Sequence, residues 1–127
     1  MSERRAIRPP GTPAHMSQAV QVGQLVFVSG QIAFDASGAL AGPDDVAAQA
    51  RQCFANIEAI LAEVGGALTD VAKLTAFLAS PDLAPAYLAV RAETFPVDPP
   101  ATTTVVAATL VPGFLIEIEA TAVLPGG

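Results

Sequence analysis

Two glutamates near the end of the chain, Glu117 and Glu119, have the spacing that most directly suggests chemistry. They lie in a run that alternates as a β-strand does, so both side chains project from one face with Cα atoms about 7 Å apart. Apolar Leu115 and Val123 share that face, which is unusual for a surface fully open to water. A carboxylate in a partly apolar pocket can shuttle a proton or position a water molecule. The alternative, two solvent-facing glutamates, is weaker for Glu119 because it lies deeper in the strand.

Hydroxyl residues form two further candidate groups. Ser29 and Gly30 end a predicted strand, where glycine lets backbone N–H groups approach a ligand closely and serine adds a donor. The alternative is that this pair only turns the chain. Thr102, Thr103 and Thr104 suit a strand through their β-branching, and their hydroxyls can also line a polar pocket if a partner subunit covers that face.

The remaining reactive residues are predicted to be structural. Cys53 lies on the apolar stripe of a helix and is expected to be an inert core thiol. His15 has no neighbouring histidine or acid to orient it, and Lys73 lies in an apolar strand where a surface-reaching side chain or an interface ion pair is expected. With one histidine and one cysteine in the chain, we expect neither a metal site nor a cofactor.

The elements that must position these residues follow one another closely. Residues 1–15 contain three prolines and a glycine and are predicted to be an irregular N-terminal arm. A hairpin follows, turning at Gly23, and residues 44–64 form a helix because apolar residues recur at three- and four-residue steps. The later elements are a strand at 71–79, a helix that begins near residue 80, and strands at 103–108 and 114–123. The order ββαβαββ predicts a single α+β domain over residues 1–127, with two helices on one face of the sheet.

Composition points to an oligomer. Hydrophobic residues make up 52% of the 127 residues and charged residues 14%, which is more apolar material than one small core requires. No apolar run approaches the roughly 20 residues of a membrane span, so we expect subunit interfaces to cover the surplus. The net charge of −6 repels phosphate backbones, which disfavours nucleic-acid binding. We expect a cytoplasmic protein that binds neither nucleic acid nor membrane.

Several ordered motifs resemble the RidA/YjgF family, also called the reactive intermediate deaminase family, over roughly residues 13–124. The matching segments are residues 17–20, 25–31, 49–61, 71–78 and 114–120. The resemblance implies a chorismate-mutase-like fold assembled as a homotrimer, whose sheets form an inner barrel. It also implies clefts between neighbouring subunits in which a small-molecule ligand binds.

The resemblance further implies roles for individual residues. Glu119 corresponds to the family's water-positioning glutamate, while Ser29 and Gly30 correspond to its pocket serine and glycine. Thr102 stands where deaminase members have an arginine that clamps the substrate carboxylate, and Met16 stands where a tyrosine is frequent. A charged, bidentate clamp is therefore replaced by a small neutral hydroxyl.

These observations leave two functions open. The first is a divergent hydrolase or deaminase that acts on a small reactive imine or enamine other than 2-aminoacrylate. In it Glu119 positions the water, and Thr102 or Thr104 contacts the substrate. The alternative is a non-catalytic trimer that binds a small ligand in the same cleft. A ribonuclease role is disfavoured by the acidic charge, the single histidine and the lack of a basic track.

Overall fold

The structure is a computed structural model that describes residues 3–126. Its elements, in chain order, are β1 (Arg4–Ile7), β2 (Ala19–Val22), β3 (Leu25–Gln31), α1 (Val46–Ala62), β4 (Val71–Leu78), α2 (Ala84–Thr94), β5 (Ala101–Val106) and β6 (Ile116–Val123). The strands form one sheet in the order β1-β2-β3-β6-β4-β5. All neighbours are antiparallel except β4 and β5, which run parallel and are connected through α2. The predicted α+β architecture is confirmed.

Strand β6 lies inside the sheet and alternates as the sequence predicted. One face is buried under the helices and consists of Ile116, Ile118, Ala120 and Ala122. The opposite face carries Glu117 and Glu119. Because β6 pairs with β3 on one side and β4 on the other, a shift of one residue would expose the isoleucines and bury the glutamates. The strand pairing therefore fixes which face holds the carboxylates.

Helix α1 covers β3 and β6, and α2 packs beside it. The Asp45 side chain caps α1 by accepting a hydrogen bond from the Ala48 N–H at 3.1 Å. Cys53 is fully buried on the inner face of α1, and its thiol donates to the Gln31 carbonyl at 3.3 Å. Burial raises the pKa of the Cys53 thiol to about 12, so it stays protonated at neutral pH. The prediction of an unreactive core thiol is confirmed.

The N-terminal segment is more ordered than the sequence indicated. The prediction of an irregular arm over residues 1–15 is wrong for Arg4–Ile7, which forms β1 and pairs with β2, so three strands precede α1. Ile7 is buried, but a single apolar anchor in a four-residue strand followed by prolines leaves too short a pattern to detect. Past this strand, the Arg8 guanidinium donates to the carbonyls of Met16 and Pro13, both at 3.0 Å, and so holds the following loop.

The sheet face away from the helices is partly apolar and exposed. Its large hydrophobic side chains are Leu25, Phe27, Val105 and Val123, which are between 41% and 46% exposed. They come from β3, β6 and β5 and span most of the width of the sheet. Neither helix within residues 3–126 has the length and apolar character of a membrane span.

Candidate functional site

An interruption in the β3–β6 pairing lies at the centre of the candidate site. The regular register stops at Val28 and resumes at Gln31, which leaves Ser29 and Gly30 opposite the single residue Glu119. A bulge of this kind bends the strand and redirects side chains, and bulges are common beside functional sites. The sequence marked Ser29 and Gly30 as a candidate, but it did not indicate the bulge.

The carboxylate of Glu117 lies directly against Gly30. A Cβ atom added at Gly30 would overlap Glu117 Oε2 and would lie 3.2 Å from Glu117 Cγ. Glycine is therefore required at this position for the carboxylate to approach the backbone. Glu117 is half-buried and stands opposite Phe77 on β4, whereas Glu119 is exposed and stands opposite Thr75. Within the single subunit Glu117 is therefore the more enclosed of the two, because the bulge and Phe77 border it. The expectation for Glu119 concerned a face covered by a partner subunit, and it stays a prediction.

Both the side chain and the backbone of Ser29 donate hydrogen bonds to the neighbouring loop. Its hydroxyl donates to the Ser17 carbonyl at 2.7 Å, and its backbone N–H donates to the Gln18 carbonyl at 2.9 Å. The expected role of Ser29 as a donor to a ligand is therefore changed, since its hydroxyl proton is already used. The lone pairs of its oxygen remain as acceptors.

Two open cavities meet at Met16, which is half-buried. The first, of about 500 Å³, has Gly30 and Met16 in its wall and is completed by Gly11, Pro13, Gln18, Gln31, Ile32, Phe34, Gly38 and Asn56. The second, of about 580 Å³, has Ser29 in its wall and is otherwise lined by Arg4, Arg8, Ala14, His15, Met16, Ser17 and Val20. The predicted residues Met16, Ser29 and Gly30 are thus brought together at one end of β3. Glu117 approaches this group through Gly30 and lines neither cavity.

Thr102 and Thr104 lie elsewhere in the subunit. They are on β5, the edge strand, with β4 and β6 between them and β3. At about 4.8 Å per strand, β5 is about 14 Å from β3, too far for either threonine to reach Gly30. The parallel register pairs the two threonines with Leu74 and Ala76, both buried, so their side chains point to the helix side of the sheet.

Sequence patterns did not indicate one residue beside β5. Arg91 of α2 extends over the helix side of this strand, where its Nη1 atom lies 3.4 Å from Thr104 Oγ1. Its guanidinium carbon is 5.6 Å from the centre of the Tyr87 ring, a cation–π arrangement. An arginine near the end of a helix resembles ordinary surface charge in sequence, and only the packing of α2 shows that it reaches β5.

Two further candidate residues border these groups. His15 is exposed in the second cavity, and Lys73 lies on the far face of β4, where its ammonium donates to Thr103 Oγ1 at 2.6 Å. Within residues 3–126 no three His, Cys, Asp or Glu side chains are grouped as a metal site requires.

Comparison with known proteins identifies the family. Residues 7–124 match the family described as Endoribonuclease L-PSP. The chain is 35% identical over 129 residues to the 2-iminobutanoate/2-iminopropanoate deaminase of Dermatophagoides farinae, a match that covers 98% of this chain and 99% of that protein. It is 34% identical over 122 residues to the 3-aminoacrylate deaminase RutC of Acinetobacter baylyi, covering 94% and 97%.

Solved structures agree with these sequence matches. A crystal structure of a member of the YjgF/YER057c/UK114 family from Mycobacterium tuberculosis is similar with a TM-score of 0.83 and 29% identity, covering 96% of this chain and 100% of that one. The fold and the ordered motifs that resembled RidA/YjgF proteins are therefore confirmed together. The chain belongs to the Endoribonuclease L-PSP family, that of the RidA/YjgF proteins.

Proposed function

We propose that this protein is a deaminase that hydrolyses a small reactive imine or enamine other than 2-aminoacrylate. Family membership and the names of two matched relatives support deamination of reactive intermediates at the level of the family. The observation that carries the proposal for this chain is the half-buried Glu117 carboxylate held against Gly30 at the β3 bulge. The place of an arginine clamp on β5 is taken by Thr102, which argues against binding 2-aminoacrylate in the usual way.

The chemistry requires one carboxylate and one water molecule. The carboxylate accepts a proton as the water oxygen attacks the imine carbon, and the electron pair of the C=N bond moves to nitrogen, which gains a proton. The resulting carbinolamine then breaks its C–N bond, releasing ammonia and leaving a carbonyl product. An enamine first gains a proton on carbon to become the imine. A positioned acid–base group contributes roughly 100-fold to 10,000-fold to such proton transfers.

Two glutamates compete for this role. The sequence motif favours Glu119, which is exposed in the single subunit on the sheet face that the proposed trimer would cover. Glu117 is half-buried, touches Gly30 and lies at the same end of β3 as the two cavities that meet at Met16. We therefore favour Glu117 as the acid–base group and retain Glu119 as the alternative.

A second copy of the chain would complete the site. Exposed apolar residues on the sheet face away from the helices provide a surface that a homotrimer would cover. Thr102 and Thr104 are too far from Gly30 within a subunit, so we propose that a neighbouring subunit brings its β5 to the Gly30–Glu117 site. We also propose a cytoplasmic location, with which the free thiol of Cys53 is compatible.

A non-catalytic trimer remains the second candidate because the site has lost donors. The Ser29 hydroxyl proton is used within the chain, and Thr102 lacks the charge of an arginine. Such a cleft would bind a small ligand without turning it over.

The direct test generates imines from several amino acids and amines with an oxidase and follows their hydrolysis with and without the protein. We expect acceleration by the wild type, a loss of about 100-fold or more in Glu117→Gln, and a change within about threefold in Glu119→Gln. Loss of activity in Glu119→Gln alone would assign the acid–base role to Glu119, the residue that the sequence motif favours. If no neutral or anionic imine is hydrolysed faster, the deaminase proposal is wrong and the ligand-binding alternative stands.

A further inference from the structure

The edge strand β5 is flanked by two cationic side chains in a chain that has few of them. The sequence contains 6 Lys and Arg residues against 12 Asp and Glu residues. Lys73 contacts Thr103 on the face away from the helices, and Arg91 contacts Thr104 on the helix side. The side chain of Thr102 points to the same side as Arg91.

Arg91 has no acidic partner in the part of the chain that the structure describes. The ion pair found within residues 3–126 joins Arg51 to Glu93 and does not involve Arg91. Arg91 is nevertheless half-buried, which removes part of the water that would otherwise solvate its charge. A partly desolvated guanidinium gains most from an anion that accepts two of its hydrogen bonds.

Tyr87 holds Arg91 in place without neutralising it. The Tyr87 ring is fully buried and stacks against Phe54 with ring centres 6.4 Å apart, so it forms a rigid platform under the guanidinium. Its hydroxyl is the buried side-chain polar atom within residues 3–126 that lacks a hydrogen-bond partner. Burial raises the pKa of Tyr87, so the phenol is neutral at physiological pH. The guanidinium therefore has neutral side-chain neighbours, Tyr87 and Thr104, and no carboxylate among them.

An apolar recess adjoins the guanidinium. Arg91 lines a cavity of about 270 Å³ whose other residues are Leu88, Ala92, Phe95, Pro96 and Pro99. A guanidinium group beside apolar walls suits a small organic anion better than an inorganic one, because the hydrocarbon part of the ligand is also removed from water.

Resting on the proposed function, we infer that Arg91 is the anion-binding residue of the cleft and holds a substrate carboxylate beside Thr104 and Thr102. The positive charge that binds the carboxylate is then on a side chain of α2 and not on one of β5. Arg91 meets the strand at Thr104, about 7 Å along β5 from Thr102, so it holds a carboxylate in a different place from an arginine at position 102. Substrates other than 2-aminoacrylate are then expected to fit best.

Other cationic residues suit this role less well. The guanidinium of Arg8 is engaged by the Met16 and Pro13 carbonyls. Lys73 is a point charge on the opposite face of the sheet, already bonded to Thr103. Lys73 therefore provides a matched control, because Lys73→Gln removes one positive charge beside β5 but not from the helix side.

The test measures kcat/KM for a carboxylate-bearing imine made from leucine and for a neutral imine made from benzylamine. Arg91→Gln is expected to lower kcat/KM for the carboxylate substrate about tenfold to 100-fold, mainly through KM, and to leave the neutral substrate within about twofold. Lys73→Gln is expected to leave both within about twofold. Arg91→Lys keeps the aliphatic stem over Tyr87 and is expected to lower the preference for the carboxylate substrate severalfold. If Arg91→Gln does not fold, the result for Arg91→Lys tests the role of Arg91. Unchanged selectivity, or equal losses in Arg91→Gln and Lys73→Gln, would overturn the inference.

Calorimetric binding of pyruvate separates this inference from the proposed function. If the wild type hydrolyses no imine, the proposed function fails, while binding of pyruvate still tests Arg91. We expect the wild type to bind pyruvate and Arg91→Gln to bind it at least about tenfold more weakly. Equal binding by both proteins, or no binding by the wild type, would contradict the role of Arg91.

Discussion

The two regions proposed to form the cleft are constructed differently. The Gly30–Glu117 region lies on strands that are paired on both sides, and a backbone bulge brings the carboxylate and the glycine into contact. The β5 region is an edge strand with six exposed residues, and its charge comes from a side chain on a helix. A position fixed by backbone pairing tolerates little change, whereas an edge can exchange one side chain for another. Catalysis is thus expected to depend on the first region and substrate selection on the second.

The largest effect is expected from Gly30→Ala. The new Cβ would overlap Glu117 Oε2, so the carboxylate must move and activity should fall by about 100-fold or more. The stability cost should be about 1–3 kcal/mol, because the half-buried carboxylate can shift towards solvent. Gly65→Ala is the control: it has a φ of 76° with nothing within 4 Å of a new Cβ, so it should lose stability by strain but keep its activity. An active Gly30→Ala enzyme would remove Glu117 from the site.

Phe27→Asp tests whether the exposed sheet face joins the two regions. Phe27 is 46% exposed on that face, and a charge buried there should convert the proposed trimer into monomers and abolish activity. Val97→Asp is the matched control, since Val97 is 77% exposed but lies in the loop before β5. Sedimentation velocity measures the outcome. A Phe27→Asp protein that keeps the mass of the wild type would show that this face is not the interface.

Thr102→Arg tests how positive charge on the edge strand affects substrate preference. It adds a guanidinium on the same side of β5 as Arg91 and should raise the preference for carboxylate-bearing over neutral imines by about tenfold. Relative kcat/KM values measure this preference. No shift would mean that position 102 does not face the substrate.

A pH-dependent effect on stability is expected from the thiol beneath the bulge. Burial raises the pKa of Cys53 to about 12, and the unfolded thiol titrates near 9, so the protonated thiol stabilises the fold below about pH 9. This contribution should be lost as the pH rises from about 9 to 12, with a slope of up to about 1.4 kcal/mol per pH unit. Urea unfolding of the wild type and Cys53→Ala across that range measures the difference in slope. Identical slopes would mean that the thiol ionises equally in both states.

The fold could be predicted from sequence because its elements alternate or repeat clearly. The buried face of β6 and the inner stripe of α1 follow directly from their two- and 3.6-residue periods. Strand β1 escaped detection because it is short and has one buried residue, Ile7. Periodicity describes regular elements, so it detects neither short edge strands nor irregularities.

The site was predicted less completely for the same reason. Sequence spacing put Glu117 and Glu119 on one face of the strand. It could not show which of the two is more buried in the subunit, because the bulge at Gly30 depends on pairing with a distant strand. Arg91 is remote from β5 in sequence and is brought to Thr104 by helix packing alone.

Co-expression of two inactive variants tests whether one cleft combines the Gly30–Glu117 region of one subunit with β5 of its neighbour. Glu117→Gln disables the first region, and Thr102→Glu places a repelling carboxylate in the second. In randomly mixed trimers about one quarter of the clefts would contain both intact regions, so activity should rise to about one quarter of the wild-type value. Activity no greater than the mean of the two variants alone would contradict a shared cleft.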